Sequence, residues 1–141
     1  MKRLLVASML ALAAGRAVAA DATLDAAQVI AMYGAAWNQT DAAGMHRFLD
    51  KSWADEGRYT DPEVSVRGRD ELVAYIQKFR AKVGTAQLTL NGPVDAHHGW
   101  FRFAWTVVAQ DGAVVLKGMD IGQLADDGRI RRIVGFFDSQ D

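Results

Sequence analysis

The sequence predicts an α+β protein in which three helices come first and pack on one face of a mostly antiparallel sheet. Up to Gly84, apolar residues recur three and four positions apart, which is the spacing of one helix face. After Gly84, apolar and polar residues alternate, which is the spacing of a strand. The pairs Asp111-Gly112 and Asp127-Gly128 separate these alternating segments and are typical of hairpin turns. Helices followed by antiparallel strands indicate the α+β class.

Three segments have the signals of helices. In the first, Leu24, Ala27 and Ile30 lie on one face, and Thr23 is a candidate N-cap. The third is expected to end at Gly84, because glycine readily adopts the left-handed conformation that terminates many helices. The predicted helices are residues 21–38, 41–49 and 70–83.

The strands are predicted from alternation and from the turns between them. One strand precedes the third helix and should end at Asp61, because Pro62 has no N–H group to donate to a neighbouring strand. In a later strand, Phe101, Phe103 and Trp105 share one face, which we expect to look toward the helices. The predicted strands are residues 53–61, 87–90, 94–98, 100–109, 113–124 and 129–138.

Length and composition limit the function classes. The 141 residues suit one domain, and half of them are apolar. Sixteen basic and 17 acidic residues give a net charge of -1, so we expect no nucleic-acid partner, which would require a basic surface. There is no cysteine, and the neighbouring His97 and His98 would point apart in a strand. We therefore predict neither a metal site nor a cofactor.

The first 19 residues have the pattern of a secretory signal peptide. Lys2 and Arg3 precede an apolar run over residues 4–14, and residues 17–19 are the small residues Ala-Val-Ala. The run is too short for a membrane-spanning helix, so no membrane span is predicted. An amphipathic N-terminal helix is the alternative, because Arg16 interrupts the pattern. We expect a secreted or periplasmic protein whose single domain covers residues 20–141.

Two carboxylates do not fit the pattern of acidic residues in turns and helix starts. Asp120 interrupts an apolar strand, where burial would raise its pKa and favour the protonated form. Alternatively, it pairs with an arginine such as Arg131 or Arg102. Asp61 ends a strand beside Pro62, where its side chain could look into the mouth of the sheet, or where it could serve only as a turn residue.

Tyr33 completes a set with these two acids. Taken alone, this tyrosine of the first helix is best explained as a core residue with a satisfied hydroxyl group. Together, the three residues could remove a proton next to a carbonyl: one carboxylate accepts it, and a tyrosine and a neutral acid stabilise the resulting enolate.

The sequence resembles the nuclear transport factor 2-like superfamily, and within it the SnoaL-like and ketosteroid-isomerase-like branches. The resemblance covers residues 21–138. The motifs that carry it are Tyr33…Trp37…Asp41, Trp53-Ala54-Asp55, Tyr59-Thr60-Asp61-Pro62, Gly118-Met119-Asp120 and Asp127-Gly128-Arg129-Ile130. It implies a cone-shaped fold, in which three N-terminal helices pack on a curved sheet around a deep apolar pocket. It also implies a homodimer, which agrees with the mixed apolar and polar outer face of the predicted strands.

The resemblance assigns roles to residues. Asp61 matches the general base of the ketosteroid isomerases, and Tyr33 and Asp120 match the donors that stabilise the oxyanion. The residues expected to bind the substrate are Trp37, Trp53, Phe101, Phe103, Trp105, Ile133 and Phe137. No cofactor is implied.

Three functions remain open from the sequence. The first is a cofactor-free isomerase or cyclase that abstracts a proton beside a carbonyl of an apolar cyclic substrate. The second is a non-catalytic carrier or sensor that binds a small hydrophobic molecule. The third is an accessory dimerisation domain, whose pocket would be filled by Trp37, Trp53 or Trp105.

Overall fold

The computed structural model describes residues 24–137, which form three helices and one six-stranded sheet and confirm the predicted α+β class. The helices are α1 (Ala26–Trp37), α2 (Ala42–Ser52) and α3 (Gly68–Val83). The strands are β1 (Trp53–Thr60), β2 (Ser65–Arg67), β3 (Gln87–His97), β4 (Trp100–Val108), β5 (Val114–Leu124) and β6 (Ile130–Phe137). The predicted signal peptide lies outside the described residues. None of the helices within residues 24–137 is long and apolar enough to cross a bilayer.

Polar caps and glycines fix the ends of the helices. Asp25 caps α1 in a capping box: its carboxylate accepts from the Gln28 N–H, and the Gln28 side chain accepts from the Asp25 N–H. The predicted cap, Thr23, lies outside the described residues. Asp41, the first residue of the second predicted helix, caps α2, because its carboxylate accepts from the Gly44 N–H. α3 ends as predicted, because Gly84 at φ 61° takes a conformation that other residues rarely adopt.

The sheet has the strand order β2-β1-β6-β5-β4-β3. The last four strands form the predicted antiparallel meander, and β1 lies parallel to β6. Two expectations were wrong. The short strand β2, which pairs with β1, was not predicted. Residues 87–97 form one strand instead of two, because a shift of register between Asn91 and Asp95 accommodates Gly92 and Pro93 without ending the pairing.

The apolar faces of the helices cover the inner face of the sheet and form one core. Two glycines on that face make room for large aromatic rings. Gly118 lies opposite Trp105, and Gly122 lies opposite Phe101. A side chain at either glycine would overlap the ring that lies over it. The largest fully buried side chains are Trp53, Ile30, Met45, Leu49, Leu72, Ile76, Ile130, Ile133, Val29 and Val107.

The packing of these rings predicts opposite effects for two glycine-to-alanine substitutions. In Gly122→Ala, the new methyl group overlaps the Phe101 ring and the Arg132 carbonyl, so we expect a loss of about 1–3 kcal/mol in the free energy of unfolding. In Gly34→Ala on α1, the methyl group meets Leu90 at 3.6–3.8 Å, an ordinary contact. This control should gain about 0.5–1 kcal/mol from helix propensity. Urea unfolding measures both, and equal stability of the two variants would contradict the packing described.

Candidate functional site

A cavity of about 520 Å³ opens between α1, α3 and the inner face of the sheet. Seven of its lining residues are buried and form the floor: Tyr33, Trp37, Tyr59, Asp61, Phe103, Trp105 and Asp120. The others are half-buried or exposed and lie nearer the opening: Glu63, Val64, Tyr75, Lys78, Phe79, Lys82, Val83, Leu88, Val115, Leu116 and Phe137. The wall is mostly apolar, and two carboxylates stand in its floor.

The carboxylate of Asp61 accepts four hydrogen bonds. The hydroxyl groups of Tyr59 and Tyr75 donate to Oδ2 at 2.9 and 2.6 Å. The backbone N–H groups of Glu63 and Val64 donate to Oδ1 at 2.8 and 2.9 Å. Two oxygens offer about four lone-pair positions, so protein donors occupy the accepting capacity of Asp61.

The turn after β1 explains how Asp61 reaches this position. Pro62 ends the strand, and the Asp61 side chain folds over the following turn, where its Oδ1 binds the turn's N–H groups. Because Tyr59 lies two residues earlier in the strand, it shares the face on which Asp61 points inward. Asp61 is therefore both the turn residue and the cavity residue that the sequence left as alternatives.

Asp120 is only 3% exposed and has one protein partner. The indole N–H of Trp105 donates to its Oδ1 at 2.8 Å, and Oδ2 has no hydrogen-bond partner among residues 24–137. Burial raises the pKa of Asp120 to about 7; the Trp105 hydrogen bond opposes this rise, and the charge of Asp61 adds to it. The alternative of a paired arginine was wrong, because Arg102 binds Asp95 and Arg131 binds Gln123.

Gly135 makes space for the two carboxylates. It lies directly opposite Asp120 in the pairing of β5 with β6. A Cβ atom at this glycine would lie 2.9 Å from the Asp120 Oδ1, 3.5 Å from the Tyr59 hydroxyl oxygen and 3.6 Å from the Asp61 Cβ. Both acids and Tyr59 therefore meet over a residue that has no side chain.

Tyr33 lies on the same floor, with its ring stacked on Trp53 at a centroid distance of 5.7 Å. Its hydroxyl group and the indole N–H of Trp37 are buried close to each other, and neither has another hydrogen-bond partner within the described part of the chain. Burial, followed by the charge of Asp120, raises the pKa of Tyr33 well above its ordinary value, so the hydroxyl group keeps its proton. Unpaired buried donors are rare in proteins and are candidates for contact with a bound molecule.

The predicted residues divide into two groups. Seven of them line the cavity: Tyr33, Asp61, Asp120, Trp37, Phe103, Trp105 and Phe137. Trp53, Phe101 and Ile133 do not; they are buried in the core, where the first stacks on Tyr33 and the second on Phe103. Trp37 and Trp105 lie in the floor and do not fill the cavity, as they would in an accessory domain with a closed pocket.

Three residues in contact with the two carboxylates were not predicted as site residues. Tyr59 and Tyr75 donate hydrogen bonds to Asp61, and Gly135 leaves space for both carboxylates because it has no side chain. Strand alternation could have placed Tyr59 beside Asp61, and Gly135 could have been read as a gap on the inner face. The family resemblance implies a supporting tyrosine on the third helix near Ile76, next to Tyr75, but the hydrogen bond of Tyr75 to Asp61 depends on how α3 packs on β1. Within residues 24–137, no group of three metal-ligating side chains comes together.

The sequence pattern of the SnoaL-like domain matches residues 29–133. A solved structure of a SnoaL-like family protein from Agrobacterium tumefaciens, assigned provisionally as an isomerase, is 33% identical, with a TM-score of 0.73. The match covers 79% of this chain and 95% of that one. No curated protein is similar enough to count as a match.

Two more distant structures share the fold. An NTF2-like protein of unknown function from Exiguobacterium is 19% identical, with a TM-score of 0.59, over 79% of this chain and 99% of that one. A protein with a ketosteroid isomerase-like fold from Catenulispora acidiphila is 11% identical, with a TM-score of 0.60, over 77% and 83% of the two chains.

The raised pKa of Asp120 predicts how stability depends on pH. In the folded protein, Asp120 keeps its proton up to about pH 7, whereas in the unfolded chain it releases the proton at about pH 4. The free energy of unfolding should therefore fall as pH rises between these values. Asparagine does not ionise, so the free energy of unfolding of Asp120→Asn should not fall in this way. It should exceed that of the wild type by up to about 4 kcal/mol at pH 8 and by much less at pH 4.

Urea unfolding between pH 4 and pH 8 measures this difference. Asp95→Asn is the control, because Asp95 is exposed and pairs with Arg102 at the surface. A difference between Asp120→Asn and wild type that is constant over the pH range would contradict the raised pKa.

Proposed function

The chain belongs to the SnoaL-like domain family, and from this premise we propose that it is an exported, cofactor-free isomerase or cyclase. In this proposal, it abstracts a proton next to a carbonyl group of an apolar cyclic molecule bound in the cavity. The observation that carries the proposal is Asp120, a buried carboxylate with one unpaired oxygen in the floor of an apolar cavity. Its pKa of about 7 is suited to both taking up and releasing a proton at neutral pH.

The geometry favours Asp120 over Asp61 as the group that moves the proton. The resemblance assigned the base to Asp61, but a base needs a free lone pair, and four donors already bind the two Asp61 oxygens. Asp61 instead anchors the turn after β1 and the Tyr75 side chain of α3, and its charge adds to the effect of burial on the pKa of Asp120. We therefore propose Asp120 as the catalytic acid and base and Asp61 as a positioning residue.

The proposed step begins with Asp120 ionised. Its free oxygen takes a proton from the carbon next to the substrate carbonyl, the C–H bond breaks, and the negative charge moves to the carbonyl oxygen. The buried donors of Tyr33 and Trp37 have no partner beyond each other among residues 24–137 and are the candidates to bind that oxygen. Return of the proton to a different carbon shifts the double bond and restores the ionised carboxylate.

This function predicts that the protein catalyses hydrogen exchange in a simple cyclic ketone. In D₂O, wild-type protein should accelerate loss of the C1 proton signal of 2-tetralone in NMR spectra, and the rate should rise with pH around a midpoint near 7. Asp120→Asn keeps an acceptor for Trp105 but cannot take a proton, so the rate should fall by about 10²–10⁴-fold.

Two comparisons make the result specific. Asp95→Asn, at the surface, should exchange like wild type. Asp61→Asn should retain part of the activity, with a midpoint at lower pH, because it removes a charge that raises the pKa of Asp120. If Asp61→Asn abolished exchange and Asp120→Asn preserved it, the roles implied by the family resemblance would stand instead.

A carrier or sensor of a small hydrophobic molecule is the second candidate. The observation that favours it is the open apolar cavity of about 520 Å³, which could hold a ligand without any reaction. Binding of 2-tetralone without catalysed exchange would support this function. Export is proposed from the first 19 residues alone.

We also propose that the protein forms a homodimer through the outer face of the sheet. Phe136, Met119 and Ile121 are cross-strand or near neighbours there and are 57%, 41% and 39% exposed. Exposed apolar neighbours of this kind are typical of contact surfaces. Phe136→Asp should shift the sedimentation coefficient to that of a monomer, whereas Val114→Asp, at the equally exposed start of β5, should not. A wild-type monomer at high protein concentration would refute the dimer.

A further inference from the structure

One face of α3 runs from the cavity floor to its opening. Tyr75, Lys78, Phe79, Lys82 and Val83 all line the cavity and follow the spacing of one helix face. Lys78 lies about 4.5 Å and Lys82 about 10.5 Å along the helix axis from Tyr75, the residue that binds Asp61. The same helix therefore holds a carboxylate in place at depth and presents ammonium groups nearer the solvent.

The charged groups of the cavity are separated by depth. Asp61 and Asp120 are buried in the floor, and Lys78, Lys82 and Glu63 are exposed near the opening. The Lys82 ammonium group binds the Glu63 carboxylate at 3.2 Å. Lys78 forms no ion pair with any residue of the described part of the chain. The opening therefore carries one uncompensated positive charge.

We propose that the ligand of this cavity is an apolar cyclic molecule that carries a carboxylate, or an equivalent anionic group, and that Lys78 binds this group at the opening. The inference rests on the proposed binding of a carbonyl-containing molecule in the cavity and names its chemical class. Lys78 is the residue that gives specificity for the anionic group. Lys82 contributes to the binding of this group when its ammonium group is not paired with Glu63.

The charge distribution also fixes the direction in which such a molecule enters. An anionic group at the floor would lie beside Asp61 and Asp120 in an apolar environment, where repulsion between like charges is strong. The same group at the opening meets Lys78 and remains partly hydrated. The apolar rings then occupy the wall, and the carbonyl end reaches Asp120. A neutral molecule could bind in either direction, whereas an anionic one has a single favourable orientation.

Three naphthalene probes of matched shape test the proposal. They are 2-naphthol, 6-hydroxy-2-naphthoate and its methyl ester, and their binding is measured by fluorescence at low salt. The hydroxyl group stands for the substrate oxygen, and the carboxylate for the anionic group. Wild-type protein should bind the acid about five-fold more tightly than the ester, and added salt should remove the difference.

Substitutions then assign the preference to a residue. Lys78→Met should make the acid bind no better than the ester and leave 2-naphthol binding unchanged. Glu63→Gln frees Lys82 and should increase the preference for the acid. Lys117→Met, on the outer face of β5, removes the same charge away from the cavity and should behave like wild type.

The outcomes separate this inference from the function on which it rests. If 2-naphthol and the ester bind but the acid binds no better, the anionic specificity is wrong and the pocket function stands. If the preference survives in Lys78→Met, Lys78 is not the residue responsible. If none of the three probes binds, both proposals fail.

Discussion

The carboxylate of Asp120 lies in an apolar interior with a single indole N–H as its protein partner, and the rest of the cavity floor is arranged around it. Leaving an ionised acid there is costly, so its proton affinity rises instead. The strand pairing makes the position possible, because Gly135 stands opposite and offers no side chain. A side chain at position 135 would contact the Asp120 Oδ1, and it would also lie close to Asp61 and Tyr59.

The fold satisfies its two buried carboxylates in opposite ways, and the proposed function rests on this difference. Asp61 accepts from two tyrosines and two backbone N–H groups, so its oxygens are fully engaged. Asp120 keeps one oxygen without a protein partner. A carboxylate with all its lone pairs engaged is held in position, whereas one with a free oxygen can exchange a proton with a ligand. The resemblance implies the proton-transfer role for Asp61 and the proposed function gives it to Asp120; the number of donors around each carboxylate, on which the proposal rests, is a property of the folded chain that sequence patterns do not contain.

Local signals predicted the elements, and contacts between distant segments accounted for the errors. Asp-Gly turns and Gly84 placed the meander and the end of α3 correctly, since each depends on a few neighbouring residues. The inward position of Asp120 followed from strand alternation. Trp53, Phe101 and Ile133 were expected at the cavity wall, but alternation tells only which face a residue takes, not whether the helices cover it. Local signals do not predict the hydrogen bond of Tyr75 to Asp61, since it joins α3 to the end of β1.

That bond makes α3 more than a wall of the cavity. Tyr75 fixes the helix to Asp61 at the floor, and the following turns of the same face carry Lys78 and Lys82 to the opening. The distance between Tyr75, which binds Asp61, and the lysines at the opening is then set by helix geometry, which is stiff, instead of by a loop. In the proposed function, Asp61 would therefore contribute to ligand selection without moving a proton, because its hydrogen bond to Tyr75 holds in place the helix that carries the lysines. A ligand with a carbonyl at one end and an anionic group at the other would bind well only if the separation of its two groups matched that distance.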